Sequence, residues 1–119
     1  NYLNNYRTIR YADVLLMAAE AYTKATTPNF TRAQTYLNLV RRRAFGNNNN
    51  DITATGDALY QAILDERRLE FAMEGEYFFD LVRTNQTNKI TGFVRGKHEV
   101  FPIPQVEVDI SGLKQNPGY

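Results

Sequence analysis

The stretch from Asp65 to Arg83, DERRLEFAMEGEYFFDLVR, constrains the fold most. Its apolar residues recur at helical spacing. Leu59, Ile63, Met73, Tyr77 and Leu81 share one stripe, and Tyr60, Leu64, Phe71, Phe78 and Val82 form another. Two apolar stripes call for neighbours on two sides. The spacing therefore predicts a long helix that starts near Asp57, with Asp57 as N-cap, and ends at Thr84-Asn85. Gly75 interrupts it, which predicts a kink or a break into two helices. The same segment holds Glu66, Glu70 and Glu74 at four-residue intervals, beside Arg67 and Arg68.

Upstream, Tyr11, Leu15, Ala18, Tyr22 and Ala25 follow four-three-four-three spacing, with Val14, Met17 and Ala21 beside them. This predicts a helix from Arg7 that is packed on two sides, and its alanines suit close approach by another helix. Pro28 ends it. A second helix is expected from Thr31, as N-cap, to about Ala44, with Ala33, Tyr36, Leu37, Val40 and Ala44 facing inward. Arg41 to Arg43 suit its negative end, and Gly46 sits where a left-handed residue is wanted. The pair is an antiparallel hairpin like a degenerate tetratricopeptide (TPR) unit. Ala19 and Tyr22 keep that repeat's small-then-aromatic spacing, and Ala33, Leu37 and Val40 match its second helix. A lone unit of this kind cannot bury its own face and is expected to pack on something else.

From Thr84 to Gly96 the chain reads as loop. Glu99-Val-Phe-Pro-Ile-Pro is extended, because two prolines two apart forbid a central strand. Pro104 can open a helical turn through Asp109, and turn chemistry returns at Asn116-Pro117-Gly118. The fold class is thus all-α in the main: a TPR-like hairpin, a long kinked helix and an irregular extended tail. The 119 residues read as one domain.

Composition removes several functions. The net charge of +1 gives no electrostatic case for nucleic acid or an anionic membrane surface. The absence of cysteine excludes disulfides, a thiol nucleophile and a thiolate zinc site. No apolar run approaches the roughly 20 residues of a membrane span. The chain opens Asn-Tyr-Leu-Asn-Asn, without an initiating Met, and is expected to be a piece of a longer protein. No nucleophile elbow, phosphate loop or dinucleotide fingerprint occurs, and no cofactor is implied.

The remaining constellations are weighed on their chemistry. Glu66, Glu70 and Glu74 invite an acid/base reading. However, like charges four apart on one helix do not face each other across a substrate, and Arg67 and Arg68 stand ready to neutralise them. Asp80 and Arg83, three apart, can pair along the helix. The expected role of this group, Glu66, Arg67, Arg68, Glu70, Glu74, Asp80 and Arg83, is architectural. Asn47, Asn49 and Asp51 faintly echo a calcium loop but lack its glycine and closing glutamate, so a plain surface loop is expected. His98 stands without other metal-ligand residues at useful spacing. Phe71, Tyr77, Phe78 and Phe79 fall at core spacing, which leaves Tyr2, Tyr6 and Tyr119 as weak candidates for ligand contact.

Several motifs coincide in order: Arg10-Tyr-Ala-Asp-Val-Leu-Leu-Met-Ala-Ala-Glu-Ala, Leu37-Asn-Leu-Val-Arg-Arg-Arg-Ala, the organising stretch, Val100-Phe-Pro-Ile-Pro-Gln and Gln115-Asn-Pro-Gly-Tyr. Together they resemble the C-terminal region of the SusD/RagB family of outer-membrane nutrient-binding lipoproteins, across essentially the whole chain. The resemblance implies binding without catalysis, at the surface of Bacteroidetes-type bacteria. It implies a lipid tether on an N-terminal cysteine, and a SusC-like TonB-dependent porin as partner in the uptake of glycans or other nutrients. In the family, sugar contacts come largely from parts upstream of this region. The alternative is a TPR-type protein-interaction scaffold without a small-molecule ligand.

Overall fold

The computed structural model describes residues 8–119, so Tyr2 and Tyr6 lie outside the described residues. Its element order is α1 (Tyr11–Lys24), α2 (Phe30–Phe45), α3 (Gly56–Glu70), α4 (Glu76–Arg83), a 3-10 turn (Thr87–Lys89) and α5 (Gln105–Ser111). The described residues are helical and contain no strand. They fall into two compact units, one ending at Tyr77 and one running from Phe78 to Tyr119.

In the first unit α1 and α2 form an antiparallel pair across a five-residue loop, Ala25 to Asn29, and α3 packs against both. Thr8 to Arg10 precede the helix, so α1 starts at Tyr11 and not at Arg7. Its buried face also differs from the expected one. Ala12, Leu15, Leu16, Ala19 and Thr23 are buried, while Tyr11, Val14, Met17, Ala21 and Ala25 are exposed. An alanine-rich helix apolar around most of its circumference has no polar stripe strong enough to fix which face turns inward. Asn29, not Thr31, caps α2: its side chain accepts the Arg32 N–H at 3.0 Å. Ala33, Leu37 and Val40 are buried as spaced, Tyr36 is half-buried, and Ala44 is exposed. Gly46 ends α2 at φ 71°, and its N–H bonds the Arg42 carbonyl. Leu16, Leu37, Leu59, Ile63 and Val40 are the largest fully buried side chains, and all lie where the three helices meet.

Thr55, not Asp57, holds the N-cap position of α3. The expected long helix is broken, not bent. After Glu70 the chain turns through Phe71 to Gly75, with Met73 at φ 68° and Gly75 at φ 88°, before α4 begins. A non-glycine residue at positive φ is costly for a side chain with a Cβ, and it stops the helix. Glu74 therefore does not share a helix with Glu66 and Glu70. Met73, expected on an apolar stripe, is fully exposed. Tyr77 and Phe79 are also exposed, so the core spacing read for them does not hold.

The second unit is built differently. Asp80, Leu81 and Thr87 are its buried side chains among the described residues. Phe78 packs near the rings of Phe93 and Phe101, with centroids 6.4 and 6.2 Å away. Pro104 opens α5, which reaches Ser111 and stops at Gly112, φ 68°. The extended 101–103 segment is held by the residues that follow α5. The Gln115 side chain accepts the Ile103 N–H and donates to the Ile103 carbonyl, both at 2.8 Å. Asn116 Nδ2 donates to the Phe101 carbonyl at 2.6 Å, and the Tyr119 hydroxyl donates to the Val100 carbonyl at 3.1 Å. The tail thus closes on itself. Proline leaves such a segment without ladder donors, so side-chain amides meet its backbone in place of a neighbouring strand.

Candidate functional site

Glu66, Arg67, Glu70 and Glu74 of the organising stretch are engaged with residues of the hairpin or just before it. Arg10, just before α1, donates to Glu70 Oε1 at 2.7 Å, to the Glu70 carbonyl at 2.8 Å and to Glu74 Oε1 at 2.7 Å. One guanidinium thus covers the last carbonyl of α3 and, through Glu74, holds the turn that follows. A cation suits that negative helix end, whereas the N-terminus of α1, its own helix, repels it. Arg43 of α2 pairs with the other Glu70 oxygen. Burial pushes the Glu70 carboxyl up, but the bonds from Arg43 and Arg10 outweigh it and hold the group below its ordinary range.

Glu66 and Arg67 are buried, yet each has a partner on a different helix. Arg41 of α2 donates to Glu66 at 2.5 Å, and Arg67 donates to Asp13 of α1 at 2.6 Å. The buried Phe71 ring receives two guanidinium groups, Arg10 at 4.9 Å and Arg67 at 5.2 Å from its centroid. Buried pairs of this kind contribute little net stability, but removing one partner strands the other charge. Their effect is to fix which turn of α3 meets which turn of the hairpin. Arg68 is exposed, and in the second unit buried Asp80 accepts from Arg83 Nε at 2.8 Å.

The other candidates among the described residues also have partners within the fold. Asp51 is gripped by Arg42, whose hydrogen bond lowers its pKa. Asn47 accepts the Asn49 N–H and donates to the Phe45 carbonyl, so the asparagine loop is folded on its own backbone. His98 Nδ1 accepts the Val94 N–H at 2.9 Å, and its ring stands edge-on to Phe93. Tyr119 has Lys97 4.6 Å above its ring. Among the described residues, no group of three or more His, Asp or Glu side chains is placed to hold a metal, and no helix is long and apolar enough to cross a membrane.

Each unit also holds a cavity among the described residues. One of about 610 Å³ lies at the α1–α2 end of the first unit, lined by Ile9, Tyr11, Leu15, Leu39, Arg10 and Arg43. The other, of about 300 Å³ in the second unit, is walled by Phe78, Phe93, Phe101, His98 and Tyr119. Sequence reasoning missed Arg10 and Asp13 as partners of the organising stretch. The signal was a cation at the positive end of a helix, where it must find an acid elsewhere.

The SusD family model matches residues 1–99. Among curated proteins, SusD-like protein P2 of Formosa agariphila is 30% identical over 132 aligned positions, covering 97% of this chain. SusD-like proteins P38 and P25 of the same organism are 38% and 32% identical, over 77% and 93% of it. The chain spans between 19% and 26% of the length of these relatives. The motifs on the hairpin and on the broken helix thus lie within the residues that the family model matches, and the chain belongs to the SusD/RagB family.

Proposed function

We propose that this chain is the C-terminal region of a SusD-type protein that binds a glycan or another nutrient without chemically altering it. It would act at the outer membrane as part of a lipid-tethered surface protein, beside a SusC-like TonB-dependent transporter. Family membership supports the binding class. The observation that carries the non-catalytic reading is the state of the carboxylates. Glu66, Glu70 and Glu74 each accept from an arginine of the hairpin side, so none is poised as a proton donor or nucleophile. The role of this region within the whole protein is architectural: three helices fixed in register by ion pairs, and a tail fixed by its own amides.

Incubation of the purified chain with a panel of polysaccharides should release no reducing ends. Calorimetry should give weak or no sugar binding by the chain alone. Hydrolysis that disappears in Glu66→Gln would overturn the non-catalytic reading, and tight carbohydrate binding by these 119 residues would overturn the architectural one.

A further inference from the structure

The cavity of the second unit is walled by rings, and their positions are fixed by bonds that lie outside the cavity. The backbone of Phe101 is tied to Asn116 Nδ2 at 2.6 Å, and the Tyr119 hydroxyl is tied to the Val100 carbonyl at 3.1 Å. The His98 N–H donates to the Val94 carbonyl at 3.0 Å, and its Nδ1 accepts the Val94 N–H at 2.9 Å. That pair clamps the imidazole across one turn, edge-on to Phe93. Gly92, at φ 78°, lines the same space without a side chain to fill it. The cavity is therefore built before any guest arrives. Phe101 and Tyr119 remain 74% and 45% exposed, and a guest lying against them would take that apolar surface out of water.

We propose that this cavity binds a small aromatic carboxylate, one planar ring with a short acidic arm. Three observations select that class. First, about 300 Å³ lies at the small end of ligand sites and suits a single substituted ring. Second, Phe78, Phe93, Phe101 and Tyr119 offer ring faces and edges, which a planar apolar ring meets best. A sugar would bring hydroxyls around its whole edge. For these the lining side chains hold only the Thr91 hydroxyl and one imidazole N–H, because the Tyr119 hydroxyl is already given to Val100. Third, the free polar groups suit an anion. An imidazole that accepts at Nδ1 carries its proton on Nε2, and among the described residues that donor has no partner. The Lys97 ammonium stands 4.6 Å from the centre of the Tyr119 ring, and no carboxylate among the described residues pairs with it. The neighbouring Glu99 is turned to the Gly96 N–H at 2.8 Å. A carboxylate at the cavity mouth would accept from His98 and be balanced by Lys97.

The probe is trans-cinnamate, with cinnamamide as its uncharged counterpart and glucose as the sugar arm. In nitrogen–proton correlation spectra of the chain, cinnamate should move the amide signals of Gly92, Phe93 and Val94 saturably. A dissociation constant on the order of millimolar is expected for so small a ligand. Phe101→Ala trims an exposed ring and should weaken binding by about tenfold, with the signals of α1 to α3 unmoved. Lys97→Gln should weaken cinnamate by about threefold and leave cinnamamide as it was. Four outcomes would overturn the proposal: no saturable shift, shifts undiminished by Phe101→Ala, cinnamamide binding as tightly as cinnamate, or glucose moving the same amides more strongly. The last would make the cavity a sugar site. Polysaccharide binding is measured separately, so failure here is distinguishable from failure of the nutrient-binding reading.

Discussion

The two units of this chain solve the same problem by different means. Up to Tyr77, three helices bury a continuous set of aliphatic side chains, and ion pairs between helices set their register. From Phe78 onward few side chains are buried, and the extended segment is held by amide and phenol groups reaching its backbone. Alanine and leucine at helical spacing make a core possible in the first unit. Proline, glycine and asparagine remove that option in the second, and hydrogen bonds to main chain take its place. Stability in the first unit should therefore track buried volume, and in the second the count of amide braces.

The largest break in that contrast should come from Ile63→Ala. Ile63 is fully buried between the helices, and truncating such a residue costs about 2–5 kcal/mol. Denaturant unfolding followed by far-UV circular dichroism should show a correspondingly lower midpoint. A loss under about 0.5 kcal/mol would mean that no packed core exists there.

Gln115→Ala is the reciprocal test. It removes two hydrogen bonds to Ile103, about 1–2 kcal/mol locally. Amide exchange should accelerate at Ile103 while the amides of α1 to α3 keep their rates. Equal acceleration in both units would erase the distinction drawn above.

The smallest effect is electrostatic and belongs to the first unit alone. The folded Glu70 carboxyl lies below its unfolded value of about 4.3. The folded state therefore binds that proton less readily, and the stabilisation is complete above about pH 4.3 and lost as pH falls through the lower folded value. Glu70→Gln should be less stable by about 1 kcal/mol or less at pH 7, since Arg43 is largely exposed. The two proteins should converge as the pH falls below the folded value. A gap that persists at low pH would show that Gln fails for reasons of packing and not charge.

Much of this fold was legible in residue order. Pro28 marks the end of α1 because proline cannot continue a helix, Gly46 marks the end of α2 because a left-handed residue is wanted there, and Leu37, Val40, Leu59 and Ile63 are buried where the spacing puts them. The phase of α1 was not legible, because Tyr11, Val14 and Met17 are as apolar as Leu15 and Leu16. Gly75 announced an interruption, but the left-handed Met73 that completes the break carries no sequence signature. In the candidate site, charge alternation in Glu66 to Glu70 pointed to ion pairs, yet their partners Arg41, Arg43, Arg10 and Asp13 lie 25 to 60 residues away, and only the packed helices bring them close. The two tail motifs were both visible. That one holds the other depends on Gln115 and Asn116 side chains whose direction no local pattern specifies.

The bracing of Ile103 by Gln115 also has a meaning in time. The two residues are 12 apart, and a ribosome adds about 5–20 residues per second, so the proline-rich segment waits roughly 0.6 to 2.4 seconds for its partner. Through that interval its backbone groups have only water to bond. The three-helix unit, whose last core residue has already been made, can settle while the tail is still under construction. A slow codon between the two motifs would lengthen the exposure of one unit and leave the other untouched.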